Sequence, residues 1–205
     1  GFCPSFVTVH GGGLRKPEAV AGGIEAATLP EPQHPSLERP WNVLIPGVGG
    51  SGVTTLGALL GMAAHLEGKG CTVLDQAGLA QKFGPVTTHV RIAAKQSDIY
   101  AVRIAAGEAD LLLGCDLIVA AGDESLTRLN EQISNAVVNS HESATAEFTR
   151  NPDAQVPGAA MRQAISDAVG ADKTHFVDAT RLATRLLGDS IATNLFLLGF
   201  AYQQG

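Results

Sequence analysis

The sequence predicts a three-layer α/β domain over residues 41–205, built on a mostly parallel sheet and preceded over residues 1–40 by a proline- and glycine-rich arm. Three observations carry that reading. Short apolar runs alternate with helix-length stretches from Trp41 onward, the first run opens into a glycine-dense turn, and residues 1–40 hold six of the ten prolines and a glycine triplet at Gly11 to Gly13. Strands alternating with helices build βαβ units, whose right-handed crossovers give a parallel sheet covered on both faces.

In the arm, Leu29-Pro30-Glu31-Pro32-Gln33-His34-Pro35 is expected to be extended and semi-rigid, because proline fixes its own φ and restricts the residue before it. A boundary near Arg39 follows. The pattern then predicts a strand from Asn42 to Pro46, a helix from Val53 to Leu66, and strands from Thr72 to Asp75, Val86 to Ala93 and Asp116 to Ala120. It continues with a helix from Glu124 to Gln132, a strand from Asn135 to Asn139, a helix from Ala159 to Val169, a strand from His175 to Asp178 and two terminal helices. Ser140 to Gly158 is polar, contains Pro152 and Pro157 and has no sustained period, which marks a long surface loop. No internal repeat is present.

The turn after the first strand reads Gly47-Val48-Gly49-Gly50-Ser51-Gly52-Val53-Thr54. Gly47, Gly49 and Gly52 fit the G-x-G-x-x-G fingerprint of a Rossmann-like strand–loop–helix, in which small residues permit a tight turn and close approach of a pyrophosphate. The positive end of the helix and its unpaired N–H groups then face the ligand. A Walker loop is excluded because Val53 stands where its lysine belongs. The same valine removes the last glycine of a nucleophile elbow around Ser51. A bound dinucleotide calls for an acidic residue at the end of the second strand, and Asp75 stands in roughly that place. The loop residues Gly47, Gly49, Gly50, Ser51 and Gly52 therefore serve a dinucleotide, another phosphate or carboxylate ligand, or the turn alone.

Composition narrows the function further. Charged residues make up 17% of the chain, so much of the surface is small or apolar, which points to contact with partner surfaces and to a homo-oligomer. A net charge of −6 with scattered basic residues leaves no footprint for nucleic acid. No apolar run reaches the roughly 18 residues needed to cross a membrane, and no leader pattern opens the chain, so a cytoplasmic protein is expected. Cys71 and Cys115 lie inside apolar patterns and read as buried free thiols rather than a disulfide framework.

Cys3-Pro4 matches the way the C-x2-C-x2-C-x3-C-P run of an iron–sulfur cluster ends, with partner cysteines lying upstream of Gly1. In Val86-Thr87-Thr88-His89-Val90-Arg91-Ile92, strand alternation puts Thr87, His89 and Arg91 on one face. Arg91 is a candidate for a carboxylate or phosphate, against an edge or interface strand whose polar face is solvated or paired. His89 reads as structural. No H-E-x-x-H spacing or carboxylate couple supplies acid–base or metal chemistry, and Asn139 and Asn194 read as cap or loop residues before ligands.

Together these residues resemble the gamma-type domain of the 2-oxoacid:ferredoxin oxidoreductases, which act on pyruvate, indolepyruvate and related substrates. The resemblance covers about Val43 to Gly205. It rests on Gly47-Val48-Gly49-Gly50-Ser51-Gly52-Val53, Gly84-Pro85-Val86, His89-Val90-Arg91, Ala109-Asp110, Asp116-Leu117-Ile118-Val119-Ala120, Val137-Val138-Asn139 and the run Asp189 to Gly199. Gly1 to Val9 is similar to the end of the iron–sulfur segment in fused indolepyruvate:ferredoxin oxidoreductases. The resemblance implies that Cys3 is a cluster ligand in a longer parent chain. It implies a parent enzyme with thiamine diphosphate, magnesium, 4Fe-4S clusters and coenzyme A, which decarboxylates a 2-oxoacid oxidatively to an acyl-CoA and passes electrons to ferredoxin. It assigns no catalytic residue here and no cofactor to this chain alone, since the chemistry belongs to the cofactors. The expected role is assembly with the other domains or subunits and lining of the substrate or coenzyme A cleft. A free-standing NAD(P)-binding oxidoreductase and a purely structural assembly domain are the alternatives.

Overall fold

A computed structural model describes residues 10–13, 29–78, 84–142 and 156–205. The described residues form strands β1 (Trp41–Val48), β2 (Gly70–Ala77), β3 (Pro85–Ala93), β4 (Leu111–Gly114), β5 (Asn135–Asn139) and β6 (Thr174–Val177). The helices are α1 (Val53–Leu66), α2 (Leu117–Ala120), α3 (Asp123–Leu126), α4 (Gly158–Val169), α5 (Ala179–Leu187) and α6 (Thr193–Gln204). The strands make one sheet in the order β2-β3-β1-β4-β5-β6. β4, β5 and β6 run parallel to β1, and β3 runs antiparallel to both β1 and β2. The sheet is therefore mostly parallel, with β3 its single reversed strand. Residues 78–84 explain the reversal, because a parallel crossover takes a dozen or more residues and this link is too short for one.

Two hydrophobic clusters lie on opposite faces of the sheet, which gives the three layers. On one face Val43, Ile45, Val90, Leu113 and Val137 pack with Val53 and Leu56 of α1 and Leu197 and Ala201 of α6. On the other, Leu44, Leu112, Ala136 and Val138 pack with Leu117 and Ala120 of α2 and Ile165 and Val169 of α4. Consecutive residues of β1 and β5 thus enter opposite cores, as the two-residue strand period requires.

Two predicted elements are corrected. Asp116 to Ala120 is not a strand: β4 ends at Gly114, and Asp116 caps α2 by accepting from the N–H groups of Ile118 and Val119. The run from Leu111 to Ala120 is apolar apart from Gly114 and Asp116, so periodicity alone does not separate its strand half from its helix half; the aspartate N-cap does. The helix expected over Glu124 to Gln132 stops at Leu126. Beyond it Asn130 Oδ1 accepts from the N–H of Gln132, and Ser134 Oγ accepts from the N–H of Asn130, local bonds that compete with a helical ladder.

The end of the arm is fastened to the domain. Arg39 holds the buried Asp110 with both guanidinium nitrogens, and Asp110 also accepts from the backbone N–H of Asn42 at 2.9 Å. Upstream, Gln203 Nε2 donates to the Pro30 carbonyl at 2.7 Å, and the His34 and Tyr202 rings stand 5.8 Å apart. Residues 33–35 thus cap a small apolar cavity of about 140 Å³ with Trp41, Leu60, Leu198 and Tyr202. Most of the predicted 140–158 loop lies outside the described residues.

Candidate functional site

The glycine turn stands where β1 meets β4, the point at which the chain's path across the sheet changes direction. From β1 it runs outward to β2 and β3; from β4 it runs the other way to β5 and β6. Ligands of open α/β sheets bind at such a switch point, beyond the carboxyl ends of the strands.

Each glycine of the turn has its own physical reason. A Cβ on Gly47 would lie 2.5 Å from Val53 Cγ2 and 2.9 Å from Cys115 Cβ, so only glycine lets α1 and the end of β4 close on β1. Gly49 donates its N–H to the Gly84 carbonyl at 2.8 Å, tying the turn to the start of β3. Gly50 and Gly52 have φ of 86° and 95°, which L side chains rarely adopt. Ser51 is a local turn residue: its N–H and Oγ both donate to the Val48 carbonyl, at 3.2 Å and 2.7 Å. The first helical bond of α1 runs from the Leu56 N–H to the Gly52 carbonyl. The N–H groups of Val53, Thr54 and Thr55 precede it and have no partner within the helix.

Around the turn two asparagines and an aspartate are bonded to protein. Asn194 at the start of α6 donates to the Ser51 carbonyl at 2.8 Å. Asn139 at the end of β5 donates to the Cys115 carbonyl and Thr180 Oγ1, and accepts from the N–H groups of His141 and Ala179. Asp178 caps α5 through the Arg181 N–H. The carboxyl ends of β1, β4, β5 and β6 are thereby stitched into one rim. Cys115 lies under that rim, and burial, aided by the negative charge of Asp116, pushes its thiol up to about 12. It is no nucleophile at neutral pH.

Gly47, Gly49, Gly50, Ser51 and Gly52 are brought together; Asp75 and Arg91 are not. β3 is inserted between β1 and β2, so Asp75 lies two strands from Ile45, and its carboxylate accepts from Thr88 Oγ1 at 2.5 Å. The position an NAD ribose would need beside the glycine turn is taken by β3 instead. Arg91 pairs with Asn42 at the opposite end of β1. Its guanidinium donates to the carbonyls of Ala101 and Arg103 and lies 3.7 Å from Glu108, holding the segment that covers this face. β3 is an interior strand rather than an edge, and on its polar face Arg91 is held by two carbonyls while its Nε is buried without a hydrogen-bond partner among the described residues. His89 is fully buried between Gln76 Oε1, 2.7 Å from Nε2, and the Ile104 N–H, 3.2 Å from Nδ1. Nδ1 accepts, so Nε2 carries the proton and the ring is neutral. Cys3 lies outside the described residues. Among the described residues no three His, Cys, Asp or Glu side chains are grouped to hold a metal ion, and no helix is long and apolar enough to cross a membrane.

The sequence left the rim's construction unread: Gly84 as partner of Gly49, Cys115 beneath Gly47, and Thr180 beside Asn139. Asn139 and Asn194 had visible signals, both reading as cap or loop residues, without their partners.

The fold and this rim define a Rossmann-like α/β domain with a glycine turn at its switch point. The family model described as "Pyruvate ferredoxin/flavodoxin oxidoreductase" matches residues 42–205, and the chain belongs to that family. Its relatives include indolepyruvate oxidoreductase subunit IorB of Thermococcus kodakarensis, 35% identical over 40% of this chain and 39% of that subunit. The chain thus spans about two fifths of that relative's length. The Methanothermobacter thermautotrophicus IorB subunit is 25% identical over 78% of this chain and 77% of its own length. The fold is that of the family's gamma subunits: pyruvate oxidoreductase subunit PORC of Thermotoga maritima superposes with a TM-score of 0.54 at 18% identity, covering 80% of this chain and 76% of that one. The 2-oxoglutarate:ferredoxin oxidoreductase of Magnetococcus marinus, solved with 2-oxoglutarate, coenzyme A and succinyl-CoA, superposes at 0.55 with 12% identity over 77% of this chain and 23% of that chain.

Proposed function

We propose that the chain works in the cytoplasm as the gamma-type domain of an indolepyruvate-class 2-oxoacid:ferredoxin oxidoreductase. Its residues 41–205 pack against the modules that bind thiamine diphosphate, magnesium and the 4Fe-4S clusters, with residues 1–40 as the connecting arm and Cys3 a cluster ligand. The glycine turn lines the cleft for the anionic end of a 2-oxoacid or of coenzyme A. Thiamine diphosphate supplies the decarboxylation chemistry and the clusters carry electrons to ferredoxin. The described residues do not fit a magnesium–pyrophosphate group, since no carboxylate cluster converges beside the turn, so no catalytic step is assigned to this chain.

The observation behind the site reading is that the N–H groups at the start of α1 stand at the switch point, while Asn139, Asn194 and Asp178 beside them are engaged in holding the rim. Recognition there falls to backbone donors together with the exposed Thr54 and Thr55, and suits an anion. Titrating the isotope-labelled chain with coenzyme A, indolepyruvate and NAD tests it. Amide shifts at Gly50, Gly52, Val53 and Thr54 are expected with one of the first two and not with NAD. A turn that responds to none sinks the ligand part and leaves an assembly domain. Loss of NAD affinity on Asp75→Asn would instead establish the free-standing oxidoreductase.

A further inference from the structure

The cavity beneath residues 33–35 lies at the end of β1 away from the glycine turn. Trp41 and Val43 share one face of β1 by the two-residue period, Leu111 stands beside Val43 on β4, and these three make its floor. Leu60 of α1 and Leu198 and Ala201 of α6 wall it, and all six residues belong to one hydrophobic cluster or pack against it. The roof is a strap of chain. Gln203 holds the Pro30 carbonyl and Arg39 holds Asp110, so the segment between is fastened at both ends. It is laid across the cavity rather than into it, and Gln33, His34 and Pro35 stay exposed.

Three properties of this cavity select a class of guest. Its volume of about 140 Å³ is that of cavities which, when lined by carbon, stay dry and take up benzene. Among the described residues no Asp, Glu, Lys or Arg lines it, so a charged guest would give up its hydration with no counter-charge in return. Water finds few hydrogen-bond partners there. Rings do line it, with Trp41 on the floor and Tyr202 and His34 at the mouth, the last two at 5.8 Å between centroids and 46° between planes. Ring edges and faces attract a further ring beyond what its buried area contributes.

We infer that this cavity is a binding site for a small uncharged aromatic molecule. It stands at the opposite end of β1 from the glycine turn and is independent of any anion bound there.

Trp41 is the single tryptophan of the chain, so its emission reports on the site directly. Titrating the full chain with benzene, with excitation in the tryptophan band where benzene does not absorb, should change that emission along a saturating curve with a Kd of about 1 mM or tighter. Methyl resonances of Leu60, Leu198 and Ala201 should shift in parallel. Benzoate, the same ring carrying a charge, should produce neither change. Cyclohexane should bind about threefold or more weakly, since it fills the space without the ring–ring attraction. Ala201→Leu fills the cavity and should abolish binding. Ala201→Val is a smaller intrusion that should weaken binding about fivefold or more, and it carries the test if the leucine disrupts the core. An emission change that stays linear up to the solubility of benzene, equal binding of benzoate or cyclohexane, or saturable binding that both Ala201 substitutions leave intact overturns the proposal.

Discussion

His89 makes stability depend on pH in a direction that the structure fixes. Burial, with the nearby charges of Arg128 and Arg103, depresses its folded-state value from 6.5 to about 4. The unfolded chain takes up this proton near 6.5 and the folded chain only near 4, so between those limits the unfolded state binds more protons. Folding is then favoured fully above about pH 6.5 and weakens as the pH falls toward 4. At pH 5 the loss is about 2 kcal/mol relative to pH 7.5, rising to about 3 kcal/mol at pH 4. Urea unfolding of the wild type and His89→Gln across pH 4.5 to 7.5 isolates the contribution, because glutamine keeps an amide donor and acceptor without a titrating group. His89→Gln is less stable at pH 7.5, but its stability declines less steeply with acid, by about 2 kcal/mol between pH 7.5 and 5. Parallel pH curves for the two proteins would show that the ring titrates alike in both states and refute the reasoning.

Other substitutions probe the rim and the arm. Gly47→Ala drives a methyl group into Val53 and Cys115 and should cost about 1–3 kcal/mol in urea unfolding. Gly50→Ala meets open space but keeps a φ of 86°; it should cost about 1 kcal/mol, with native-like chemical shifts in the β1 and β4 core. Arg39→Ala leaves the buried Asp110 with the Asn42 N–H as its remaining partner. Because Arg39 is half exposed, a loss of about 1–2 kcal/mol is expected, along with faster hydrogen exchange at Asn42. Alkylation at pH 8 followed by peptide mass mapping should leave Cys115 unmodified in the folded chain and label it in urea.

The sequence revealed the layers of this fold more readily than the sheet's order. Val53 to Leu66 was legible to the residue, because a glycine turn starts it and an apolar period carries it. Strand order depends on which edges meet in space, and nothing local to Asp75 shows that β3 will insert between it and the glycine turn. The length of 78–84 held the clue, since a link without room for a helix joins antiparallel neighbours. Asp116 carried a second: read as a cap rather than a strand residue, it places β4 correctly at Leu111–Gly114. The rim was out of reach for a different reason. Asn194 meets the Ser51 carbonyl across 143 positions of chain, and Asn139 meets Thr180 across 41. Such pairings follow from the fold and precede it in no local pattern.

The way the rim is satisfied bears on how this domain can contribute to chemistry. An active site that moves protons keeps titratable groups near the working pH and open to a substrate. Here the histidine of β3 is sealed neutral inside the sheet, the cysteine below the turn is held as a thiol, and the asparagines beside the turn spend their amides on neighbouring backbone. The first turn of α1 adds its peptide N–H donors, which do not titrate, and the exposed Thr54 and Thr55. They can hold an anionic end in place without reacting with it. In the role we propose, the domain fixes the position of one end of a substrate while a partner module transforms the other, the division of labour expected of a gamma-type domain in a cofactor-driven oxidoreductase.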